Sequence, residues 1–406
     1  MISFFIWAVS FLSLFLAIFW IIVLYTKIAS APGKAEASKK ITILVPALNE
    51  EQTIARTITS LQASLYKNIE IIVINDDSTD KTASVVKSFR GVKLINNTHR
   101  GIGKSSALNA GLKRATGELL AVVDADTEIS KDALTNILPS FNNPKVGAVI
   151  STIKIKNLDS FYSRLQRIEY ILATFSRVLM SKLDTLHVTP GALSVYKTAL
   201  IRQLGGFDEN NITEDLEIAL RLKYHGYTIK IEQNSIAYTN VPSDFKSLWG
   251  QRVRWFRGFI YNTGKYRKMF LSKEHGIMGR FQIPINFFTL AAILFSVSLL
   301  AYGAIREGYF ILLKFLVLRW EILDISYYHL PSFREAVLNV NIGLFFPVAI
   351  TFLLSLFILH KAHKSINERW SISPSLFIYF TIYPILRSLH WLTAFYKESL
   401  RSKRRW

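Results

Sequence analysis

The 406-residue chain has no cysteine. That excludes disulfides, thiolate metal sites and a cysteine nucleophile, and says nothing of compartment. Internal repeats and low-complexity tracts are also missing. Charge is missing from the start: residues 1–25, MISFFIWAVSFLSLFLAIFWIIVLY, contain no Asp, Glu, Lys or Arg. About 20 apolar residues suffice to cross a bilayer. A cleaved signal peptide would need a basic start, a shorter apolar stretch and a small-residue cleavage site. No Lys or Arg precedes Lys27, so the stretch reads as a retained membrane helix.

Half of the residues are hydrophobic, and they collect at the two ends. Further apolar stretches lie at about 281–305, 340–360 and 374–396. A shorter one, Tyr309–Trp320, carries Lys314 and Arg319 and suits an interfacial or re-entrant helix. The net charge is +20. Nucleic-acid binding is one reading of such an excess. Much of it sits beside apolar segments, at Lys34, Lys39 and Lys40, from Arg252 to Arg280, and in the tail Arg401–Arg405. Lys and Arg gather there in membrane proteins, so the expected partner is a lipid bilayer and not a nucleic acid.

Between the apolar ends the pattern changes. Ala29–Ser38, with Pro32 and Gly33, reads as a linker, here bounded at 27–40. From Ile41, short β-branched runs alternate with helical spacing. Ile41–Val45, Ile69–Ile74, Val92–Ile95 and Leu119–Val123 are expected strands. Glu51–Leu65, Lys81–Phe89 and Ser105–Ala115 are expected helices. Strand, helix, strand at this spacing predicts an α/β domain with a mostly parallel sheet covered by helices. Ligands of such sheets bind at the carboxyl ends of the strands, where the polar clusters of this chain lie. Phe161–Met180 is apolar on one face, with Arg164, Arg167 and Arg177 interspersed. It fits an amphipathic helix on the membrane surface and a core helix equally.

Asp124–Ala125–Asp126 follows the fourth strand. Two carboxylates around a small residue can approach one Mg²⁺ or Mn²⁺, which in turn binds diphosphate oxygens; the same residues can also simply form a turn or cap. Lys104, in Arg100–Gly101–Ile102–Gly103–Lys104–Ser105, resembles the end of a P-loop. The glycine required earlier in that motif is replaced by Thr98, which excludes an ATPase of that class. A Gly-rich turn that brings Lys104 to a phosphate remains. Asn75, Asp76, Asp77 and Asp80 cluster before a helix, where they suit capping and also contacts to uracil and ribose. Thr213–Glu214–Asp215 opens an expected helix, Leu216–Leu222, and acids there are ordinary. Gln251–Arg252–Val253–Arg254–Trp255 is more distinctive. It joins an amide, two guanidiniums and an indole, suited to diphosphate binding and to stacking on a sugar ring, on what is also a basic amphipathic helix.

In this order, Pro46–Ala47–Leu48–Asn49–Glu50, Asp76, Lys104, Asp124–Asp126, Thr213–Asp215 and Gln251–Trp255 resemble the membrane-integrated, inverting family-2 glycosyltransferases. These include the cellulose, chitin, hyaluronan and poly-N-acetylglucosamine synthases. The resemblance covers 41–270 and implies a GT-A fold, a nucleotide-sugar-binding domain inserted between N-terminal and C-terminal transmembrane helices. It implies transfer of a hexosyl unit from a UDP-sugar, UDP-N-acetylglucosamine and UDP-glucose being candidates, to a growing polysaccharide that is extruded. The alternative acceptor is a lipid such as a polyprenyl phosphate or ceramide.

By resemblance, Pro46, Ala47, Asn49, Glu50 and Asp76 hold the donor nucleoside, with Asp77 open as an alternative to Asp76 at uracil. Lys104 and Asp124 contact the nucleotide, Asp126 the metal, and Gln251 and Arg254 the diphosphate. Glu214 and Asp215 form the catalytic pair, with Asp215 as general base. Trp255, and Gly191 in His187–Ala192, meet the acceptor. The Glu–Asp–Leu and Gln–Arg–Val–Arg–Trp forms are nearer to poly-N-acetylglucosamine synthases than to cellulose or hyaluronan synthases. A Phe-x-Val-Thr gating loop and a Gly–Asp–Asp base motif are absent from the sequence.

Nucleotide sugars are cytosolic, so a multi-pass protein of the cell membrane with a cytosolic catalytic domain is expected. The C-terminal membrane region would then be 271–400 and the basic tail 401–406. Spans at 281–305, 340–360 and 374–396 would leave that tail outside, against the positive-inside rule. The misfit is best placed in 374–396, which contains Pro374, Pro384, Arg387 and His390. The sequence leaves the oligomeric state open.

Overall fold

The structure, a computed structural model, describes residues 2–26, 39–97, 103–319, 332, 335, 342–368 and 374–400. Residues 27–38 of the expected linker, Arg100–Ile102 of the Gly-rich turn, and the tail 401–406 lie outside the described residues. The chain divides into two compact units.

The first unit takes the described residues of Met1–Thr26 and Ile285–Lys361. It contains helix α1 (Ile2–Tyr25), and most of the long helices we label α10 and α11 below. Three helical stretches among the described residues are long and apolar enough to cross a membrane: Phe4–Tyr25, Met278–Val317 and Phe345–Ser365. Helix α10 (Ile283–Leu318) follows a short π-helical turn, Met278–Gln282. It runs through Tyr309–Leu318 without a break, so this stretch is not the separate interfacial helix expected from its length. Nothing between Ala304 and Leu318 stops a helix except one glycine, Gly308, which costs about 1 kcal/mol. Helix α11 (Ile342–Ser365) ends with Lys361 over the rings of Phe357, 5.3 Å away, and Tyr25, 5.6 Å away at the end of α1. The C-terminal ends of α1 and α11 are therefore at one level.

The second unit takes the described residues of Lys27–Pro284 and Ala362–Trp406. Its sheet has eight strands: β1 (Ile41–Ala47), β2 (Ile69–Asn75), β3 (Val92–Asn96), β4 (Leu119–Val122), β5 (Glu128–Ile129), β6 (Val146–Ile155), β7 (Ser194–Lys197) and β8 (Thr228–Thr239). The order across the sheet is β3-β2-β1-β4-β7-β6-β8-β5. The first four strands are parallel, β7 is antiparallel to both neighbours, β6 and β8 are parallel, and β5 is antiparallel to β8. Strand β1 is buried on both faces, as a parallel strand covered by helices must be.

One face packs on α2 (Ile54–Gln62), α3 (Thr82–Lys87) and α5 (Ala133–Ile137), through Ile54, Ile58, Leu61, Val86 and Leu134. The other face packs on α4 (Lys104–Arg114), α7 (Thr198–Gln203) and α8 (Glu214–Tyr224), through Leu108, Leu112, Ile201, Ile218 and Leu222. The chain leaves β1 toward β2 and β3 on one side and returns to β4 on the other. This creates a switch point at the carboxyl ends of β1 and β4, where open α/β sheets bind ligands.

Helix α6 (Phe161–Lys182) opens with a capping box between Ser160 and Ser163. It buries Leu165, Ile168, Ile171, Phe175 and Leu179, so the core reading of this stretch holds. Helix α9 (Phe245–Lys265) follows β8, with Asp244 capping it by accepting from Ser247 N–H. The stretch 374–396 breaks into α12 (Pro374–Thr381) and α13 (Tyr383–Ser399). Helix α12 packs on α6 and α13 on α9. The second unit thus takes in described residues beyond 270, among them those from 362 onward.

Candidate active site

The ends of β1 and β2 are tied together by side chains. Asn49 takes a left-handed backbone, φ 56°, which Asn tolerates better than most residues. Its N–H donates to Ser78 Oγ at 3.0 Å, and its Oδ1 accepts from Thr79 N–H at 2.9 Å. Glu50 N–H donates to Thr82 Oγ1 at 2.8 Å. Asp76 is buried at the end of β2, where its N–H donates to Ala47 O at 2.9 Å and its Oδ1 accepts from Asn97 Nδ2 at 2.8 Å. Burial pushes its pKa up, against the Asn97 hydrogen bond and with help from Asp77. Asp77 is exposed and left-handed, φ 63°. Of the two carboxylates, Asp76 is the buried one. Pro46 and Ala47 belong to β1 itself.

At the start of α4, Lys104 is a hub. Its Nζ lies 2.5 Å from Asp124 Oδ1 and 3.0 Å from Glu214 Oε1. It thereby joins the end of β4 to the start of α8. Burial disfavours its charge, but Asp124 and Glu214 together overcome this and hold it as an ammonium. Glu214 is buried, and its Oε2 has no hydrogen-bond partner. Burial raises its pKa, opposed by Lys104 and aided by Asp215. Gly191 closes over this pair. A Cβ there would lie 2.5 Å from Lys104 Nζ and 2.6 Å from each Asp124 carboxylate oxygen. The backbone repeats the contact, since Asp124 N–H donates to Gly191 O at 2.9 Å.

Asp126 is half-buried. Its neighbour Ala125 accepts a 2.7 Å hydrogen bond from Thr57 Oγ1, which anchors the turn to α2. Burial, then Asp124, then Glu50 raise the Asp126 pKa to about 7, with Lys104 acting the other way. The pKa of Glu50 is raised too, by burial despite the Thr53 hydroxyl and with help from Asp124 and Asp80. This pocket of carboxylates holds more negative charge than Lys104 neutralises. No group of three or more acids and histidines suited to a metal occurs among the described residues. Two aspartates with a charge surplus therefore fit a divalent cation that takes its other oxygens from phosphate and water.

Asp215 is half-buried in the first turn of α8. Its Oδ1 accepts from Leu216 N–H at 2.8 Å, and its carbonyl accepts from Thr189 Oγ1 at 2.8 Å. The His187–Ala192 loop and the Thr213–Asp215 turn are thus joined. Arg254 Nη1 donates to Ile212 O at 3.1 Å, just before that turn.

The two arginines of the Gln251–Trp255 motif diverge. Arg252 is 1% exposed. Its Nη2 pairs with Glu169 Oε2 at 2.6 Å, its Nη1 donates to Gln251 Oε1 at 2.6 Å, and its guanidinium lies 4.2 Å from the centre of the Trp255 ring. Tyr383 OH donates to the same Glu169 oxygen at 2.8 Å. Arg252 is therefore a structural post between α6, α9 and α13. Gln251 accepts this bond through its amide oxygen; the Nε2 donors, the end of the amide that could reach a diphosphate, take no part in it.

Three residues escaped the sequence reading. Asn262 Nδ2 donates to Asn211 Oδ1 at 3.2 Å and Thr213 Oγ1 at 3.1 Å, and Asn211 Nδ2 returns a bond to Asn262 Oδ1 at 2.7 Å. Gly258 lets α9 approach α8, because a Cβ there would overlap the Thr213 side chain. Arg254, Gly258 and Asn262 recur every four residues along α9, one face of a helix, and that spacing was the available signal.

Residues 42–205 match Glycosyl transferase family 2. The chain is 28% identical, over 97% of its length and 94% of the relative, to a poly-beta-1,6-N-acetyl-D-glucosamine synthase of Staphylococcus epidermidis. It is 30% identical to the protein of the same name from Staphylococcus aureus (strain COL), over 61% of this chain and 64% of that one. Among solved structures, a mannosyltransferase of Pyrobaculum calidifontis in complex with GDP-Man and Mn²⁺ superposes with a TM-score of 0.57. That match covers 98% of both chains at 18% identity, a likeness of fold.

Proposed function

The chain is a family-2 glycosyltransferase, and from that premise we propose that it transfers N-acetylglucosamine from its UDP donor, with inversion, to the end of a growing polysaccharide. The observation that carries this reading is Lys104, in contact with Asp124 at the nucleotide end of the sheet and with Glu214 beside Asp215. One cation thus links the carboxylate that would meet the donor to the turn that would meet the acceptor. The relatives' names supply the sugar.

In this reading Asn49, Glu50 and Asp76 frame the nucleoside pocket. Asp124 and Asp126 would hold Mg²⁺ or Mn²⁺, which when bound offsets charge on the diphosphate. Lys104 and Arg254 stabilise the same charge as it grows on the leaving group. Asp215 takes the proton of the acceptor hydroxyl. The hydroxyl oxygen bonds to the anomeric carbon as the bond to the diphosphate breaks, and UDP leaves. Glu214, held by Lys104, positions that lysine. Trp255, backed by Arg252, offers its other ring face to the acceptor sugar.

Packing supports a membrane topology for this reading. Helices α12 and α13 pack on α6 and α9, and Glu398 pairs with Arg257 at 2.7 Å. They therefore lie on the side of the membrane that holds the catalytic unit. Two crossings, by α10 and α11, satisfy this. With α1 the described residues supply three crossings, and this reading puts the catalytic unit in the cytosol, in keeping with the positive-inside rule.

Replacing Asp215 by Asn tests the chemistry. Transfer from labelled UDP-N-acetylglucosamine should fall by about 10²–10⁴-fold, while UDP binding by calorimetry stays unchanged. Undiminished transfer by D215N would refute the assignment of the base.

A further inference from the structure

Helix α8 carries Glu214 and Asp215 in its first turn, and its N-cap residue is Thr213. The hydroxyl of a threonine at an N-cap ordinarily accepts from an N–H of the first turn and so fixes the helix start locally. The Thr213 side chain makes no such bond. Its Oγ1 instead donates to Asn211 Oδ1 at 3.2 Å and accepts from Asn262 Nδ2 at 3.1 Å. The group that would have fastened the start of α8 to itself fastens it to α9.

The two asparagines complete the tie. Asn211 Nδ2 donates to Asn262 Oδ1 at 2.7 Å, and Asn262 Nδ2 donates back to Asn211 Oδ1 at 3.2 Å. Asn211 Oδ1 also accepts from Thr213 N–H at 3.1 Å. An amide has one acceptor end and one donor end, and Asn262 uses both. Asn262 is fully buried, and Asn211 and Thr213 nearly so. A buried network of this kind holds a single arrangement, and loss of one member strands the others away from water. On the same face of α9, a Cβ on Gly258 would overlap Thr213, and Arg254 Nη1 donates to Ile212 O at 3.1 Å. Three residues of α9 therefore grip 211–213. Beyond that grip, Thr189 Oγ1 donates to Asp215 O at 2.8 Å. The Asp215 backbone is thus held from the His187–Ala192 loop on one side and, through Thr213, from α9 on the other.

We propose that Asn262 is a positioning residue for Asp215, setting the base in register with Arg254 and Trp255, which stand on the same helix as Asn262. The inference rests on the function proposed above and deepens it. Asn262 acts through Asn211 and Thr213. Its loss lets the start of α8 shift, and a misplacement of about 1 Å at a reacting group costs about a hundredfold in rate. The donor pocket at the ends of β1 and β2 takes no part in this network, so nucleotide binding is spared.

The test uses the purified full-length protein in lipid nanodiscs, as wild type, Asn262→Ala, Asn262→Ser, Asp215→Asn and the N262A/D215N double variant. All are measured below the unfolding temperature of the least stable. Transfer from labelled UDP-N-acetylglucosamine to a β-1,6-linked N-acetylglucosamine oligosaccharide gives kcat and the donor KM, and calorimetry gives the affinity for UDP. For N262A, kcat should fall by about ten- to a hundredfold, with donor KM and UDP affinity unchanged. N262S, which keeps one donor and one acceptor, should recover part of the loss. In the D215N background the same substitution should change the rate far less, because residues that act through one group are not additive. Should N262A not fold, N262S carries the comparison in both backgrounds. An unchanged kcat, a parallel loss of UDP affinity, or an equal loss in both backgrounds with D215N itself impaired would overturn this proposal alone. A wild type inert on this donor, or D215N as fast as wild type, would refute the function or the base proposed above and the role of Asn262 with it.

Discussion

At the scale of single residues, the charge balance around Asp126 makes a prediction about pH. Its pKa is raised from 3.8 to about 7 by burial, Asp124 and Glu50. The folded protein therefore holds a proton on Asp126 between about pH 4 and 7 that the unfolded chain has released. The stability this contributes is present in full below the unfolded pKa and is lost as pH rises through about 7. A divalent cation held by Asp126, as proposed, would compete with that same proton. In the presence of UDP, the apparent affinity for Mn²⁺ should drop about tenfold per pH unit below 7 and level off above it. Titration of Mn²⁺ by calorimetry at several pH values checks this, and a flat profile from pH 5.5 to 8 would show that Asp126 is not the competing group.

The same scale shows what the sequence could disclose. Asp124, Asp126, Lys104 and Glu214 meet because each stands at a strand or helix end, and periodicity marks such ends. Gly191 was expected on the acceptor side, and it packs directly on Lys104 and Asp124, where the two sides join. The fate of Arg252 was not legible. Motif spacing gives a helix two arginines, but only tertiary packing decides that one of them meets Glu169 and Tyr383 in the core.

At the scale of elements, α9 sets the site by its distance from α8. Gly258 permits the close approach, and Asn262 locks it through Asn211 and Thr213. Helix propensity alone would make Gly258→Ala stabilising by about 1 kcal/mol. The overlap with Thr213 opposes this, and overpacking of a fitted contact costs about 1–3 kcal/mol. The account predicts that Gly258→Ala lowers stability in denaturant unfolding and depresses transfer, since the Thr213–Asp215 turn must move. A more stable, fully active variant would mean that α9 does not position that turn. Strands β1 to β4 and their helices were legible because each is a regular apolar run ended by polar residues. The half of mixed direction, β5 to β8, was not, because its pairings join segments far apart in sequence, such as Val149 with Lys230.

At the scale of the whole molecule, the sequence left the C-terminal third ambiguous, because an apolar helix that lies against a domain and one that crosses a bilayer have similar composition. The packing of α12 and α13 on α6 and α9 separates the two. Among the described residues three helices remain that are long and apolar enough to span. Those spans and a site that accepts both a nucleotide sugar and a sugar acceptor are the basis of the proposed polysaccharide synthase. The chemistry of the site serves equally well for one transfer or many, so product length is the discriminating quantity. Membranes containing the protein should be incubated with labelled UDP-N-acetylglucosamine and the product sized, with D215N in parallel. The account predicts long polymer from the wild type and none from the variant; a single labelled sugar on an organic-extractable lipid would contradict it.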